Sequence, residues 1–261
     1  MADRRLEGLV LKVGPLGEHD RLLTLLSDQV GVIRLAVPGA RKPKSSLAAA
    51  VPLTQLELQV VGHRGLPRVR QLRVQHNFGA VGQRLETLAG AQALAELCMG
   101  LVEDNAPLHG LLDAVVIHLE RLEAISRGAA DASNLALASS VQACVHLLAI
   151  GGYGLPLQSC CRHGVALIPP IGAWDWRCSL LADEGFAIGS QPGAAVQLNP
   201  SELALLQRLP RVELPRRKDG ELMGPQDVWL KLLAVVECWI RCHLPRPVRS
   251  LGMLRDALIL P

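Results

Sequence analysis

Three cations within four residues, Arg41, Lys42 and Lys44, followed by Ser45 and Ser46, lie just after the strand-like run Gly31 to Val37. Guanidinium, ammonium and hydroxyl donors at that spacing can hold phosphate oxygens. A solvated loop has the same composition, so the rest of the chain must separate the two readings. Further cations, Arg34, Arg64, Arg68, Arg70 and Arg73, sit on or beside neighbouring strand-like segments. Nothing with the spacing of bond-breaking chemistry accompanies them. The chain has no Gly-x-Ser-x-Gly elbow, His-Glu-x-x-His pair or Asp-x-Asp cluster, which argues against an enzyme. Gly151-Gly152-Tyr153-Gly154 follows a helical pattern rather than a strand and lacks a Lys-Ser/Thr ending, so it reads as a helix stop.

A second chemical candidate is Cys160-Cys161-Arg162-His163-Gly164, where a Cys and a His stand three apart like one zinc knuckle. Cys178 follows, with Leu181 where its partner is expected. Two readings stay open: a structural zinc held by Cys160, Cys161, His163 and Cys178, or a metal-free version of the same β fold. The seven cysteines are scattered and odd in number, which fits reduced thiols in a cytoplasm. Cys238 and Cys242, one helical turn apart beside Trp229 and Trp239, read as core. Trp174 and Trp176 flank Asp175 in a turn-rich segment and read either as a partner contact or as a lid on the local core.

The elements that carry these groups follow from periodicity. Leu9, Leu11 and Val13, then Arg21 to Ser27, Ile33 to Val37, Leu56 to Val60 and Val69 to Val74 predict five short strands without an intervening helix. Such a run makes a small barrel or sandwich, most simply a five-stranded oligonucleotide-binding (OB) barrel. From about Val81 the period becomes helical, with helices expected to about Met99, over Leu111–Ile125 and over Ser133–Ile150. Short β-like pieces (VALI, RCSLLA, FAIG) fill 158–190. Helices resume at Asn199-Pro200-Ser201-Glu202, at Gly224-Pro225 and at Ser250. The expected architecture is α+β, with an OB domain over 1–80 and a helical domain over 81–261 that contains a β insertion at about 158–190.

Charge separates along the chain. Residues 1–80 carry twelve Lys/Arg against six Asp/Glu, whereas 81–150 carry three against eight, so an anionic partner is expected at the N-terminal part. Residues 1–77 contain no Phe, Tyr or Trp, which removes the aromatic stacking common in single-strand binders. Binding would rest on phosphates, with weak sequence preference and steep salt dependence. The uncharged stretch between Asp131 and Arg162 includes Asn134, Gln142 and His146 and reads as a buried core helix rather than a membrane span. No export signal is evident at the N-terminus. A protein-binding scaffold and an RNA-binding OB protein are the alternatives to a DNA binder.

Gly8 to Leu11, Glu18-x-Asp20, Gly31, Gly39-Ala40-Arg41-x-x-Lys44-Ser45, the Leu155-to-Gly164 segment and Arg249-Ser250 occur in an order that resembles the RecO family of bacterial recombination mediators. The resemblance covers nearly the whole chain. It implies an OB barrel followed by a helical domain holding a zinc-ribbon-like insertion. It also implies a non-enzymatic role in DNA repair and recombination through the RecF pathway, in the cytoplasm at the nucleoid. Such proteins bind single- and double-stranded DNA, anneal complementary strands and work with RecR. With it they help load RecA onto DNA coated by single-strand-binding protein (SSB), whose acidic C-terminal tail they contact. Arg41, Lys44 and Ser45 are the positions the motif carries over for DNA contact. Where the family often has four cysteines, this chain has His163 at the second position and Leu181 at the fourth.

Overall fold

In the computed structural model, which describes residues 4–62, 65–102, 106–128 and 130–259, the first five strands close on themselves. They are β1 (Arg4–Leu16), β2 (Asp20–Ser27), β3 (Gly31–Val37), β4 (Thr54–Val61) and β5 (Arg68–Asn77), in the ring order β1-β2-β3-β5-β4. The ring order and the parallel β3–β5 closure are those of an OB-type barrel. Val10, Leu23, Leu25, Ile33, Leu35, Leu56, Leu58 and Val69 fill its interior.

β1 has two buried faces. Alternation leaves Leu6 and Val10 inside the barrel and Leu9 and Leu11 outside, and a bulge between Val10 and Lys12 then turns Lys12 outward. With Leu26 and Val32 they pack into the larger core, which is otherwise helical. Half of the outer β1–β2–β3 face is therefore docked on helices.

After a short 3-10 helix (Gly79–Gln83) come α1 (Leu85–Leu101), α2 (Leu111–Gly128) and α3 (Ala132–Ile150). α3 is long and apolar enough by length and composition to cross a membrane, and most of it is buried in this bundle. At its end Gly152 takes φ +80, the Gly152 N–H donates to Ala149 and the Tyr153 N–H to Leu148, which is the helix stop expected there. A small sheet follows, β6 (Cys178–Leu181), β7 (Gly185–Ile188) and β8 (Val196–Leu198), ordered β7-β6-β8. RCSLLA and FAIG are thus strands. Val165 to Ile168 is not: it makes only an isolated bridge from Ala166 to Ser159, and the third strand lies beyond 190.

α4 (Pro200–Leu206) opens with a capping box between Asn199 and Glu202. α5 (Gln226–His243) and α6 (Ser250–Ile259) complete the bundle. On α5, Cys238 is buried as expected. Cys242 is exposed, because it lies on the side of α5 away from Trp229, Leu232, Val236 and Ile240. Trp176 packs against the core, whereas Trp174 is 76% exposed.

A polar network laces segment 209–212 onto α2 and α3. Arg121 donates to the Gln142 side-chain oxygen and to the Val212 carbonyl, each at 2.6 Å, and Gln142 Nε2 donates to the carbonyls of Leu209 and Arg211. Beside it, His118 Nε2 lies 2.9 Å from His146 Nδ1. Burial, then Arg121 and His146, push His118 down to about 3, and burial lowers His146 as well.

The unfolded chain takes up these protons near the ordinary imidazole value, and folded His118 takes its own only near 3. Stability should be complete above that ordinary value. Below it, each such group should cost about 1.4 kcal/mol per pH unit until its folded value is reached. Denaturant titrations at pH 7.5, 6.5 and 5.5 should show wild type losing more stability than His118→Gln; equal losses would remove His118 from the acid response.

Candidate nucleic-acid interface

β3 hands the chain to the cationic loop through Pro38 and Gly39, with Gly39 at φ +65. A succession of turns follows: Lys42 N–H to Gly39 (3.0 Å), Ser45 N–H to Lys42 (3.3 Å) and Ala48 N–H to Ser45 (3.2 Å). Lys44 itself adopts φ +59. Ala40, Leu47 and Ala50 point into the barrel core and pin the loop. Arg41, Lys42 and Lys44 are exposed, with Ser45 half-buried between them and Leu47. The Ser45 hydroxyl accepts the Leu47 N–H at 3.2 Å, so its own proton is free to donate outward.

The start of β2 clamps both ends of this loop. Asp20 Oδ1 accepts the Gly39 N–H at 2.8 Å, and Arg21 donates to the carbonyls of Ala48 (2.9 Å) and Ala50 (3.0 Å). Asp20 in the Glu18-x-Asp20 motif is thus a fixing point for the loop rather than a ligand. Arg41 leans on the β1–β2 turn, its N–H donating to His19 (2.9 Å) and its guanidinium to Gly17 (3.3 Å).

Arg34 lies on the outward row of β3, between Val32 under the helices and Ala36. Register places Lys12, Thr24 and Arg34 side by side across β1, β2 and β3. Lys12 thus joins this surface, although it stands outside the cations expected from sequence. The bulge after Val10 turns it outward, which the two-residue period alone does not show.

Arg68 pairs with Ala36 across the β3–β5 closure, where the Ala36 N–H reaches Pro67, so the β4–β5 loop borders the same face. The undocked half of the β2–β3 face, flanked by the β1–β2 turn and the β4–β5 loop, is where OB barrels take oligonucleotides. Among the described residues none of Arg34, Lys42, Lys44 and Arg68 is in an ion pair. A cation without a carboxylate partner keeps its full attraction for an outside anion.

Two cations sit apart from this group. Arg70 is the extra residue of a bulge in β5. Arg73 stands opposite Glu57, which already holds Arg5 at 2.8 Å, on the β1–β4–β5 side of the barrel. Arg64 lies outside the described residues.

The cysteine cluster has a different shape from the expected one. Cys160 and Cys178 are buried, Cys161 and His163 are exposed, and Cys160 Sγ accepts the Ile188 N–H at 3.4 Å. The segment against Cys160 is the end of β7 at Ile188, which carries no metal-binding side chain, and Leu181 is a core residue of β6. Arg162 pairs with Glu184 at 2.9 Å beside it. Burial, then Cys160 and Cys161, push the Cys178 thiol up to about 12. Burial also raises Cys160, but N–H donors from Ile188, Arg162 and His163 outweigh it and leave that thiol lowered. Among the described residues no three His, Cys, Asp or Glu could hold one ion together, so the donor set does not fit zinc.

Two family models cover nearly all of the chain: recombination protein O N terminal over residues 1–78 and recombination protein O C terminal over residues 82–252. The chain belongs to the RecO family. Proteins named DNA repair protein RecO share its length. That of Synechococcus sp. (strain WH7803) is 71% identical over 98% of this chain and 95% of its own. That of Prochlorococcus marinus (strain MIT 9303) is 71% identical over 98% and 96%. A more distant RecO, from Trichodesmium erythraeum (strain IMS101), is 30% identical over 95% and 92%.

Proposed function

We propose that this chain is a DNA-repair and homologous-recombination mediator of the RecF pathway, acting without catalysis in the cytoplasm at the nucleoid. It binds single- and double-stranded DNA, anneals complementary strands and, with RecR, helps load RecA onto SSB-coated DNA, contacting the acidic SSB tail. The observation that carries this reading is the half-docked barrel face. Helices cover its apolar half, while Lys12, Arg34, Arg41, Lys42, Lys44 and Arg68 are left together on the open half without an aromatic side chain.

The mechanism follows from that composition. Cations neutralise phosphates and release counterions, which supplies affinity independent of base sequence. With no ring to stack on, the bases stay exposed to a second strand. Neutralised strands repel each other less, and holding them on one protein raises their local concentration. No acid, base or nucleophile is required.

Fluorescence-monitored annealing of complementary strands, with and without SSB coating, tests this reading. The protein should speed annealing of both and lose the effect as salt rises. Equal rates with and without protein would refute it; acceleration of matched RNA strands alone would turn the reading to RNA.

A further inference from the structure

A second cationic surface lies on the helical side of the molecule. Arg208, Arg211, Arg216, Arg217 and Lys218 are five cations in eleven residues, accompanied only by Glu213. All five are exposed, and among the described residues none is in an ion pair. Residues 215–223 form a small hairpin. Arg216 bridges to Leu222, Arg217 N–H donates to Glu221 at 2.8 Å, and at its base Met223 N–H reaches Pro215 while Trp229 Nε1 holds the Met223 carbonyl at 2.9 Å.

Because neighbouring residues of an extended chain point to opposite sides, the two arginines diverge. Arg216 lines a cleft of about 330 Å³ together with Arg121, and Arg217 lines one of about 390 Å³ together with Arg208. The hairpin, which also carries Asp219 and Glu221 beyond its three cations, is therefore a net-positive ridge with an arginine pair on each flank. In the first cleft both Arg121 contacts are to neutral oxygens, and the buried Ser139 hydroxyl on its wall has no partner. Glu213 acts on Arg121 as a counter-charge at a distance, but among the described residues no acid forms an ion pair with Arg121 or Arg216.

We propose that this ridge is a second DNA-binding surface, which holds the phosphates of a second strand while the barrel holds the first. It rests on the DNA-binding reading above and deepens it. The cations do not converge on one pocket, as a single carboxylate or free phosphate would require. They are strung along the hairpin and its flanks, as the charges of a polynucleotide are. The surface is also separate from the barrel. α2 turns Arg121 toward segment 209–212, and two residues later, on its opposite side, Glu123 toward His76 of β5. Two strands on opposite sides of one helix need not compete for the same cations.

A co-capture assay on the full chain tests the ridge. One oligonucleotide is fixed to beads, protein is added, and a labelled non-complementary oligonucleotide is offered in solution. Wild type should retain both. Arg216→Ala/Arg217→Ala/Lys218→Ala should retain the second at least about tenfold less, with first-strand affinity changed less than about threefold. The milder Arg216→Lys/Arg217→Lys should retain most of the second-strand capture, since it keeps the charge and the fold.

If the triple variant captures the second strand like wild type, the ridge is not a DNA surface. If that capture persists while binding of a polyglutamate peptide is lost, the occupant is an acidic polypeptide and the proposal is likewise overturned. Failure of wild type to capture even the first strand is a separate result, which would remove the DNA-binding reading itself.

Discussion

Arg41→Ala/Lys44→Ala should weaken binding to single strands and to duplex by a similar factor, roughly fiftyfold at 0.1 M monovalent salt. The magnitude follows from counterion release. Each phosphate contact contributes about 0.7 to 0.9 to the slope of log affinity against log salt, hence nearly a decade of affinity at 0.1 M relative to 1 M. Removing both cations should flatten that slope by about 1.4 for single strands and about 1.8 for duplex.

The substitutions remove only the exposed Arg41 guanidinium contact to Gly17 and leave the loop's main anchors in place. Its fixing points are the Asp20 contact to Gly39, the Arg21 contacts to Ala48 and Ala50, and the buried Ala40, Leu47 and Ala50. Alanine at 44 meets the same left-handed backbone as the lysine it replaces. Arg73→Ala is the internal control. Its position opposite Glu57 puts it beside an acid that already pairs with Arg5, so its loss should change affinity little. Fluorescence anisotropy across a salt series reads all three. A double variant with unaltered slope, or an Arg73 variant as damaged as the double, would move the interface away from this loop.

The barrel was legible because a two-residue period survives wherever one face of a strand is packed. Ile33, Leu35 and Val37 enter the interior, as do Leu56, Leu58 and Val60. β1 shows where that signal ends. Leu9 and Leu11 alternate as cleanly as any inward row, yet they face the helices while Val10, on the other face of the strand, is inside the barrel. Periodicity reports that a row is buried but not which of two cores takes it.

The helices were legible through their apolar spacing, the Asn199 capping box and the glycines after α3. β8 was not, because three residues carry no measurable period.

At the candidate sites the pattern is the same. The loop cations could be read from composition, while the division between Arg34 and Arg68 on one side and Arg73 on another depends on register. The cysteine segment misled for a physical reason. A missing ligand pair leaves no residue type to search for, so Cys178 drew attention while the strand end against Cys160 carries Ile188. The hairpin arginines gave no signal in the sequence, because their placement at different clefts depends on the bridge from Arg216 to Leu222.

Gly31→Ala should be among the most damaging single substitutions in the chain, because Gly31 is both a turn residue and a point of contact between barrel and bundle. It closes the β2–β3 hairpin opposite Ser27 with φ +73. A Cβ there would lie 2.2 Å from the Ala106 carbonyl oxygen and 2.6 Å from its carbon. Backbone atoms cannot swing aside as a side chain can. The same hairpin reaches the start of α2 through Asp28, which accepts the Leu112 N–H at 3.4 Å, and Leu26 and Val32 flank it in the shared core.

The left-handed conformation costs an alanine about 1 kcal/mol, and forcing the contact apart adds about 1–3 kcal/mol. A total of about 3 kcal/mol lowers the midpoint of thermal unfolding by about 6–12 °C in a chain of this size. Gly17→Ala separates the two contributions. Gly17 has φ +62 but open space around it, so alanine there should cost only the conformational part, about 2–4 °C. Matching shifts for the two variants in a calorimetric scan would mean that the barrel does not seat on the Ala106 backbone. A shift at Gly31 several degrees larger than at Gly17 would locate the joint there.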